Sequence, residues 1–533
     1  MTDRRRLWWV ILIASALRAA FASSLGPGND EAYHALFAVH LDWSYFDHPP
    51  MMALIARLGM LLSGGRLEVA AMRAGFVLLA AGSTWLMARL TARFYGERAG
   101  LIAAILLNAT AYYGIAAGTF ILPDGPLLFF WLLTLDRLAA ALETPGGLRP
   151  WVWVGLAWGG ALLSKYHAVF LPVGMTLYLA TEPTARRRLR QAGPYLAFAL
   201  GLLIFAPVLI WNANHEWASF AFQGERARAG DGIRLDYLAL AVAGQALYLL
   251  PWMWIYLWVA LLRAMRRART DPGATADRFF LAQVAAPMAA FLWVSCQRKV
   301  LPHWSLIGII PAFCLLGRDW ASMPWETLRK RLAILAAVPV VGACLFVAQA
   351  RWGVLQRAAA GPIGTRLFSV LGRWNLLQKN SDGRIELAPA ADPTADMCGW
   401  EAVAAELGRR GLLDRPDEFL FTSKWYHSGH LAFATSNRVP ILCYSLKSAH
   451  NFAYWEDSAA WVGHSGTLVV VNESDTEPLM YERWFQKIEP LGEFAVVKGG
   501  SPMRRVRLYR CVNQIRPFPE MPPEGRASPP RGL

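Results

Sequence analysis

The sequence predicts a bundle of about eleven membrane-spanning helices over residues 1–350, followed by a soluble α/β domain over residues 351–513. Of the 533 residues, 55% are hydrophobic and only 17% are charged, whereas soluble domains carry about 25% charged residues. The chain has 24 Trp, and aromatic rings of this kind are enriched where helices leave a membrane. Beyond residue 350 the apolar runs shorten to strand length, which indicates a change of fold class.

Each predicted span is an apolar run close to the roughly 20 residues that cross a bilayer. The first run, Leu7 to Leu25, follows three arginines and resembles a signal peptide. Arg18 late in this run, and the many spans that follow it, favour an uncleaved helix. The later spans are predicted at residues 68–88, 99–118, 125–142, 151–165, 167–181, 193–212, 236–262, 279–296, 303–317 and 332–350.

Basic residues occupy every second connection between these spans, on the same side as Arg4–Arg6. The positive-inside rule makes that side cytoplasmic, so the opposite loops and the C-terminal region are predicted to lie outside. The same pattern accounts for the formal net charge of +15 without a nucleic-acid partner. The basic connections carry Arg89, Arg93 and Arg98, Arg137 and Arg149, Arg186 to Arg190, Arg263 to Arg269, and Arg329 to Arg331.

The C-terminal region is predicted to contain a helix over Trp400–Arg410 and five strands. Residues 514–533 are rich in Pro, Arg and Glu, and we predict a disordered tail. The six cysteines show no metal-ligand spacing, and at most one disulfide is expected in the outer domain. The predicted strands are Glu418–Thr422, Val439–Cys443, Thr467–Val471, Phe494–Val497 and Val506–Tyr509.

The loop after the first span concentrates ionisable residues, among them the acidic pair Asp30 and Glu31. Acids beside a membrane are costly unless they are paired or used, so both are candidate catalytic residues. The alternative is a helix N-cap with a first-turn acid.

Asp124, in the Pro123–Pro126 turn, is the third candidate, and a plain turn is its alternative. Asp30 and Asp124 could converge on one reaction centre. The loop also carries His34, His40, Asp42, Asp47 and His48.

The stretch Asp30-Glu31-Ala32-Tyr33, followed by a basic residue and Pro-Pro at 48–50, resembles the first outer loop of family 39 membrane glycosyltransferases. That family includes protein O-mannosyltransferases and bacterial transferases that add aminoarabinose or galacturonic acid to lipid A. The likeness covers about residues 1–350. Its further pieces are Pro123-Asp124, Leu163–Ala168, Trp211–Trp217 and Arg298–Trp304.

This resemblance implies a C-type glycosyltransferase fold with an active site at the outer face. It implies a sugar donor on a polyprenyl phosphate, a lipid or glycan acceptor, and a bacterial inner membrane location with the active site and C-terminal domain in the periplasm. The chain has no Gly-rich nucleotide fingerprint and no DxD motif, which agrees with such a donor. By resemblance the reaction inverts the anomeric centre, and Asp30 is the general base, a role typically worth ~10²–10⁴-fold in rate.

The leaving lipid phosphate needs cations. In the lipid A branch the residue before Pro-Pro is usually Lys, whereas this chain has His48, which puts the role of His48 in doubt. Lys165 could instead extend its charge to the membrane surface, and Arg226 and Arg228 could be solvated loop residues. The candidates on the outer side are His48, Lys165, His167, Arg226, Arg228, Arg298, Lys299 and His303.

The sequence leaves open whether the protein binds a divalent metal ion. By resemblance, Asp47 matches a position that can be a metal ligand, and with His48 or His303 it could hold a divalent ion. A hydrogen-bonded loop without a metal is the favoured alternative.

Two other functions compete with a transferase for lipid A, core lipopolysaccharide or a related envelope glycan. A protein O-mannosyltransferase belongs to the same class. A flippase for a lipid-linked sugar would favour internal repeats and polar groups at mid-membrane depth, whereas this chain places its acids at outer span ends. In the outer domain, Lys424–His430 and His450–Trp455 suit sugar binding, but a structural role in the domain core is favoured.

Overall fold

The computed structural model describes residues 2–144, 146–228, 230, 232–379, 383–472 and 478–519. Helices dominate the chain as far as residue 371, and the strands follow from Leu377 onward. The predicted fold class, a mainly helical membrane bundle with a C-terminal domain of helices and strands, is confirmed.

Each of the eleven predicted spans overlaps one helix or a pair of neighbouring helices. The helices up to residue 352 are α1 (Asp3–Ala22), α2 (Asn29–Phe37), α3 (Met51–Leu62), α4 (Val69–Tyr95), α5 (Glu97–Asn108), α6 (Ala117–Thr119), α7 (Asp124–Glu143), α8 (Arg149–Ser164), α9 (Phe170–Thr181), α10 (Ala192–Asn214), α11 (Ala218–Ala227), α12 (Leu235–Leu249), α13 (Pro251–Thr270), α14 (Thr275–Ser295), α15 (Ile310–Ala321) and α16 (Trp325–Trp352).

Among the described residues, five helices are long and apolar enough to cross a membrane alone, namely α4, α7, α10, α14 and α16. Two bent pairs raise the number to seven if each pair is one span. The chain turns by 105° between α12 and α13, where Pro251 begins the new helix and lacks the N–H that would continue the old one. The chain also turns by 87° between α5 and the helical segment Tyr112–Thr119.

The chain divides into two compact units. The first comprises Met1–Ala22, Asp42–Gly59 and Arg73–Val341, and the second comprises Ser23–Leu41, Met60–Met72 and Gly342–Leu533. The segment Ser23–Leu41, which carries Asp30, therefore groups with the C-terminal region, whereas Asp42, Asp47 and His48 belong to the first unit. The domain limits at residues 350 and 513 stay a prediction.

Buried carboxylates hold the basic connections of the first unit together. Asp277 is 1% exposed and accepts hydrogen bonds from the Tyr95 hydroxyl at 2.6 Å, Arg267 Nε at 2.5 Å and Arg318 Nη1 at 2.7 Å. Asp136 is fully buried and pairs with Arg89 Nε at 3.1 Å. A buried carboxylate is tolerated only when cations and donors surround it.

Further contacts join the remaining basic connections and the N-terminal arginines to the same face of the first unit. These connections were predicted to share one side, and the contacts agree with that topology. The contacts are Arg6 over the Trp325 ring at 4.1 Å, Arg98 with the Met323 carbonyl, Arg188 Nη2 with the Leu142 carbonyl at 2.9 Å, and Arg278 Nε with Glu182 Oε2 at 2.6 Å.

The second unit contains a five-stranded mixed sheet in the order β4-β3-β5-β7-β6 and a two-stranded ribbon, β1-β2. Strand β3 is parallel to β4 and β5, and β7 is antiparallel to β5 and β6. All five predicted strands are present, and the last two extend into a hairpin with arms of 14 residues each. The strands are β1 (Leu377–Lys379), β2 (Ile385–Leu387), β3 (Glu418–Thr422), β4 (Ile441–Cys443), β5 (Ser465–Val471), β6 (Phe485–Lys498) and β7 (Ser501–Gln514).

Helices pack on this sheet, and one of them, α20, also contacts α2. The predicted helix at 400–410 is confirmed as α19. Helix α2 packs on α20, and a Cβ atom at Gly429 would lie 3.0 Å from the backbone of Tyr33, so only glycine permits this approach. The helices are α17 (Val354–Ala360), α18 (Pro362–Leu371), α19 (Trp400–Arg409), α20 (Trp425–Ala434) and α21 (Phe452–Trp455).

Two remaining predictions concern covalent links and the tail. All six cysteines are free, so the outer domain folds without a disulfide. Strand β7 ends at Gln514, and Phe518 is buried and stacks on Tyr444 at 4.4 Å. The prediction of a disordered tail from residue 514 is therefore wrong for residues 514–519, and from residue 520 onward it lies outside the described residues.

The Asp277 cluster predicts a stability effect. We expect Asp277→Asn to lower the melting temperature of the purified protein, at a cost of about 3 kcal/mol. The substitution removes the carboxylate partner of Arg318 and one of the two carboxylate partners of Arg267, which also pairs with Asp319. Asp236→Asn is the matched control, since Asp236 and its partner Arg234 are more than half exposed and such pairs contribute little. Thermal unfolding in detergent measures both variants, and equal melting temperatures would remove the stabilising role of Asp277.

Candidate active site

The two acids at the start of α2, Asp30 and Glu31, have different surroundings. The N-cap is Gly28, so neither acid caps the helix from that position. Instead the Glu31 carboxylate accepts the Gly28 N–H at 3.1 Å as part of a capping box and is 2% exposed. Asp30, one residue earlier, is exposed. The helix-capping alternative therefore fits Glu31, and Asp30 is the acid that a substrate can reach.

The residue before Asp30 anchors the helix start to the C-terminal region. The side-chain oxygen of Asn29 lies 3.0 Å from His430 Nε2, and the Asn29 N–H donates to Asp396 Oδ2 at 3.4 Å. The His430 ring stacks on Trp400 at 4.4 Å with an interplanar angle of 8°. His430 belongs to the cluster 424–430 noted from the sequence, but its pairing with Asn29 and the contact of Asn29 with Asp396 were not predicted. About 370 to 400 positions separate these partners, and no local pattern links them.

A buried aromatic cluster holds the middle of α2. Tyr33 is fully buried, its ring lies 4.9 Å from Trp425 and 6.2 Å from Phe452, and its hydroxyl accepts the Asn451 N–H at 3.1 Å. The clusters 424–430 and 450–455 thus pack against α2, which supports the structural role favoured for them from the sequence.

Burial sets the protonation of the groups around Asn29. Desolvation, reinforced by the positive charge of Arg504, holds the pKa of His430 well below its usual range, so its imidazole is neutral at neutral pH. Desolvation also raises the pKa of Asp396, and the charge of Asp30 adds to that rise. Arg504 lies 4.0 Å over the Trp400 ring. His430 therefore contacts Asn29 as a neutral group, so a hydrogen bond and ring packing, and not an ion pair, hold this contact beside Asp30.

The first unit contains a buried ion pair at the second acidic motif. Lys165 Nζ lies 2.8 Å and 3.0 Å from the two carboxylate oxygens of Asp124, and the two side chains are only 6% and 13% exposed. Asp124 begins α7 after Pro123, and Lys165 follows α8 in an extended conformation. The alternative in which Lys165 extends its charge to the surface is therefore wrong. An ion pair inside a membrane bundle marks a candidate functional site.

Aromatic rings and a histidine surround this pair. Lys165 and His303 are neighbours of the Asp124 carboxylate. The His303 ring lies 5.9 Å from Tyr112 and 6.1 Å from Tyr248. Tyr112 begins a π-helical turn, 112–116, a feature frequent at functional sites. The sequence placed Asp124, Lys165 and His303 in separate loops, and the structure brings them together.

The other predicted cations divide into enclosed and exposed groups. Arg226 lies 3.8 Å over the Phe222 ring and 5.6 Å from Trp304, the neighbour of His303, a geometry that stabilises a partly desolvated cation. Arg298 Nη1 donates to the Glu225 carbonyl at 2.9 Å. His167 stacks on Phe291 at 5.0 Å. Arg228 and Lys299 are exposed, in agreement with the solvated alternative for Arg228.

Asp47 and His48 lie in a hydrogen-bonded loop on α11, a helix that the sequence analysis had treated as a loop. Gln223 Nε2 donates to the Asp47 carbonyl at 2.8 Å, Ser219 Oγ donates to the Tyr45 carbonyl at 2.8 Å, and the Tyr45 N–H donates to the His48 carbonyl at 3.1 Å. These bonds agree with the structural alternative for the loop. The assignment of Asp47 and His48 to a divalent ion, and of His48 to the phosphate, stays a prediction.

The two predicted reaction elements lie in different units: Asp30 belongs to the second and Asp124 to the first. Their convergence on one centre stays a prediction. The first element supplies an exposed carboxylate on a firmly anchored helix. The second supplies a fixed cation with a neighbouring imidazole, an arrangement suited to stabilising negative charge on a leaving group.

Comparisons with known proteins agree with the resemblance. Residues 47–211 match the family described as Dolichyl-phosphate-mannose-protein mannosyltransferase. The chain is 31% identical to the lipid A galacturonosyltransferase RgtD of Rhizobium johnstonii over 195 residues. These residues make up 35% of this chain. The match spans only 38% of that relative's length.

Two solved structures share the fold over almost the whole chain. ArnT from Cupriavidus metallidurans bound to undecaprenyl phosphate has a TM-score of 0.58 at 17% identity, covering 95% of this chain and 98% of ArnT. The structure of ArnT in the apo state has a TM-score of 0.56 at 16% identity. That match covers 96% of this chain and 98% of ArnT. The predicted C-type glycosyltransferase fold is confirmed, and with it the resemblance to this class of membrane protein.

The capping box predicts different stabilities for variants of one residue. We expect Glu31→Ala to destabilise the protein by about 1 kcal/mol, whereas Glu31→Gln, which can also close a capping box, keeps the wild-type melting temperature. Thermal unfolding of the purified protein tests this. A loss for Glu31→Gln as large as for Glu31→Ala would mean that the charge of Glu31, rather than the cap, stabilises α2.

Proposed function

We propose that this chain is an inverting glycosyltransferase that moves a monosaccharide from a polyprenyl-phosphate carrier to lipid A, core lipopolysaccharide or a related envelope glycan. The observation that carries this proposal is the buried Asp124–Lys165 pair beside His303, set in a C-type glycosyltransferase fold. The solved relative that binds undecaprenyl phosphate and the curated relative that acts on lipid A support the donor and the acceptor.

In this proposal Lys165 contacts the donor phosphate. An ammonium group has three N–H donors, and two of its contacts go to Asp124, so one donor remains for a phosphate oxygen. Asp124 orients the Lys165 side chain inside the bundle. His303 and Arg226 are further candidates to contact the phosphate, and fixed positive charge in a dry site stabilises the departing phosphate.

Asp30 is the proposed general base. As the acceptor hydroxyl oxygen attacks the anomeric carbon, its proton passes to the Asp30 carboxylate. The bond between the anomeric carbon and the phosphate oxygen breaks, and the electron pair leaves with the polyprenyl phosphate. Attack from the side opposite the leaving group inverts the anomeric centre. Glu31 contributes by fixing the start of α2 rather than by touching the substrate.

The chain is a membrane protein with several spans. We further propose that it lies in a bacterial inner membrane with its N-terminus in the cytoplasm and its active site in the periplasm. The basic connections support this orientation, because contacts join them to one another and to Arg6, and positively charged connections stay cytoplasmic.

A protein O-mannosyltransferase is the second candidate, favoured by the description of the family that matches residues 47–211. The two candidates differ in the acceptor. Mass spectrometry of envelope lipids and glycoproteins from cells with and without this protein separates them. A sugar lost from lipids supports the first proposal, and a hexose lost only from proteins supports the second.

The base assignment predicts a loss of turnover. We expect Asp30→Asn, assayed in proteoliposomes, to reduce sugar transfer by at least about 10²-fold, with membrane insertion and melting temperature unchanged, because Asp30 is exposed. Glu493→Gln, which removes an exposed carboxylate from β6, is the control and should transfer normally. Wild-type transfer by Asp30→Asn would eliminate Asp30 as the base.

The cation assignment needs a double variant. Lys165→Met alone leaves the Asp124 carboxylate, which is only 13% exposed, without its lysine partner. Because this destabilises the fold, the double variant Asp124→Asn/Lys165→Met removes both charges together. We expect the double variant to fold but to transfer sugar at least about 10²-fold more slowly. Lys330→Met, an exposed lysine of α16, is the control. Normal transfer by the folded double variant would exclude Lys165 from the donor site.

A further inference from the structure

The second unit contains a cleft that the proposed reaction does not use. Its volume is about 290 Å³, near the lower end of the roughly 300–1,000 Å³ typical of small-ligand sites. The end of α2, the connection from α20 to β4, and α21 form its walls. The side chains that matter for its chemistry are His40, Asn437, Arg438, Trp455 and Glu456.

One wall of the cleft is aromatic. The imidazole of His40 stacks on the indole of Trp455 with ring centroids 4.8 Å apart and an interplanar angle of 17°. Burial lowers the pKa of His40, so the ring is neutral at neutral pH. Phe37 and Phe452 lie behind Trp455 at 5.8 Å and 5.1 Å, which fixes the orientation of this wall.

The other wall is charged and polar. Arg438 donates through Nε to the Thr435 carbonyl at 3.2 Å, which orients the guanidinium, and Asn437 precedes it in a left-handed conformation with φ +53°. Glu456 follows Trp455 directly. Within the described ranges of the chain, no ion pair joins Arg438 or Glu456 to any residue. A cation and an anion that share a cleft without pairing leave donors and acceptors for a ligand.

We propose that this cleft binds a saccharide unit of the acceptor glycan. Each sugar hydroxyl both donates and accepts hydrogen bonds, so a sugar can donate to Glu456 and accept from Arg438 and Asn437. The His40–Trp455 wall provides apolar surface for the C–H face of the ring. This inference rests on the proposed function, since it takes the ligand from the acceptor that a glycosyltransferase would use.

The position of the cleft relative to α2 sets the size of the acceptor. Asp30 lies in the first turn of α2, whereas Leu36, near its end, lines the cleft. Six residues of helix separate the two, a rise of about 9 Å. A glycan that occupies both the cleft and the acceptor position at Asp30 therefore contains more than one saccharide unit. The cleft residues contribute binding and positioning.

The binding test uses the full chain in a detergent without a sugar head group and glucosamine as the probe. Saturation-transfer NMR should detect glucosamine bound to the wild type. We expect Arg438→Met and Glu456→Gln each to weaken binding about tenfold, while the control variants Arg483→Met and Glu493→Gln, exposed residues of the same unit outside the cleft, bind normally. No binding by the wild type, or equal binding by all variants, would overturn the proposal.

A kinetic test separates this proposal from the proposed function. In proteoliposomes the two cleft variants should raise KM for the glycan acceptor about tenfold and leave KM for the polyprenyl-linked donor unchanged. If the wild type binds glucosamine through the cleft but transfers no sugar, the proposed function fails and the cleft stands. If transfer is normal and the cleft variants keep the wild-type KM, the cleft proposal fails and the function stands.

Discussion

The first unit depends on the rule that a charge inside an apolar bundle must be paired. Asp277 and Asp136 satisfy it on the face that carries the basic connections, where several arginines surround each carboxylate. Asp124 satisfies it differently, with one lysine that contacts both carboxylate oxygens. A carboxylate with more than one arginine partner stabilises the fold. A single lysine that keeps one N–H donor unused by its carboxylate partner can also bind a ligand. The same constraint thus accounts for a stabilised face and for the site that we propose to be reactive.

How far the sequence predicted this arrangement depends on the distance between interacting residues. The spans and strands were predictable because hydrophobic period is a local property, and each predicted span coincides with helical structure. The two sharp bends were not predictable from the sequence. Hydropathy is averaged over about 19 residues, so a short break such as the one before Pro251 does not lower the average enough to be seen. The pairing of Lys165 with Asp124 was also missed. Both were candidates, but nothing local indicates that side chains 41 positions apart meet in a membrane bundle.

The opening loop shows the same limit more clearly. Its sequence indicated an acidic site at a helix start, and the structure confirms the helix but assigns the cap to Glu31 and leaves Asp30 exposed. Which acid caps depends on a separation of three residues in a capping box, a pattern that Gly28 conceals because it has no side chain to complete the signature. The membership of α2 in the second unit rests on partners such as Asp396 and His430, which no local pattern reveals.

Helix α2 unites these observations, because in the proposed function one short element meets two needs of the proposed transferase. Its start must hold a carboxylate in a fixed place, and Asn29, Glu31 and the His430–Trp400 stack restrain it there. Its end must not move relative to an acceptor, and Leu36 with the adjoining His40–Trp455 wall forms part of a cleft. A rigid helix of nine residues transmits position from one end to the other. The buried Tyr33 midway along it fixes the helix through its packing on Trp425 and Phe452, although in the proposed reaction it contacts neither the transferred proton nor the sugar.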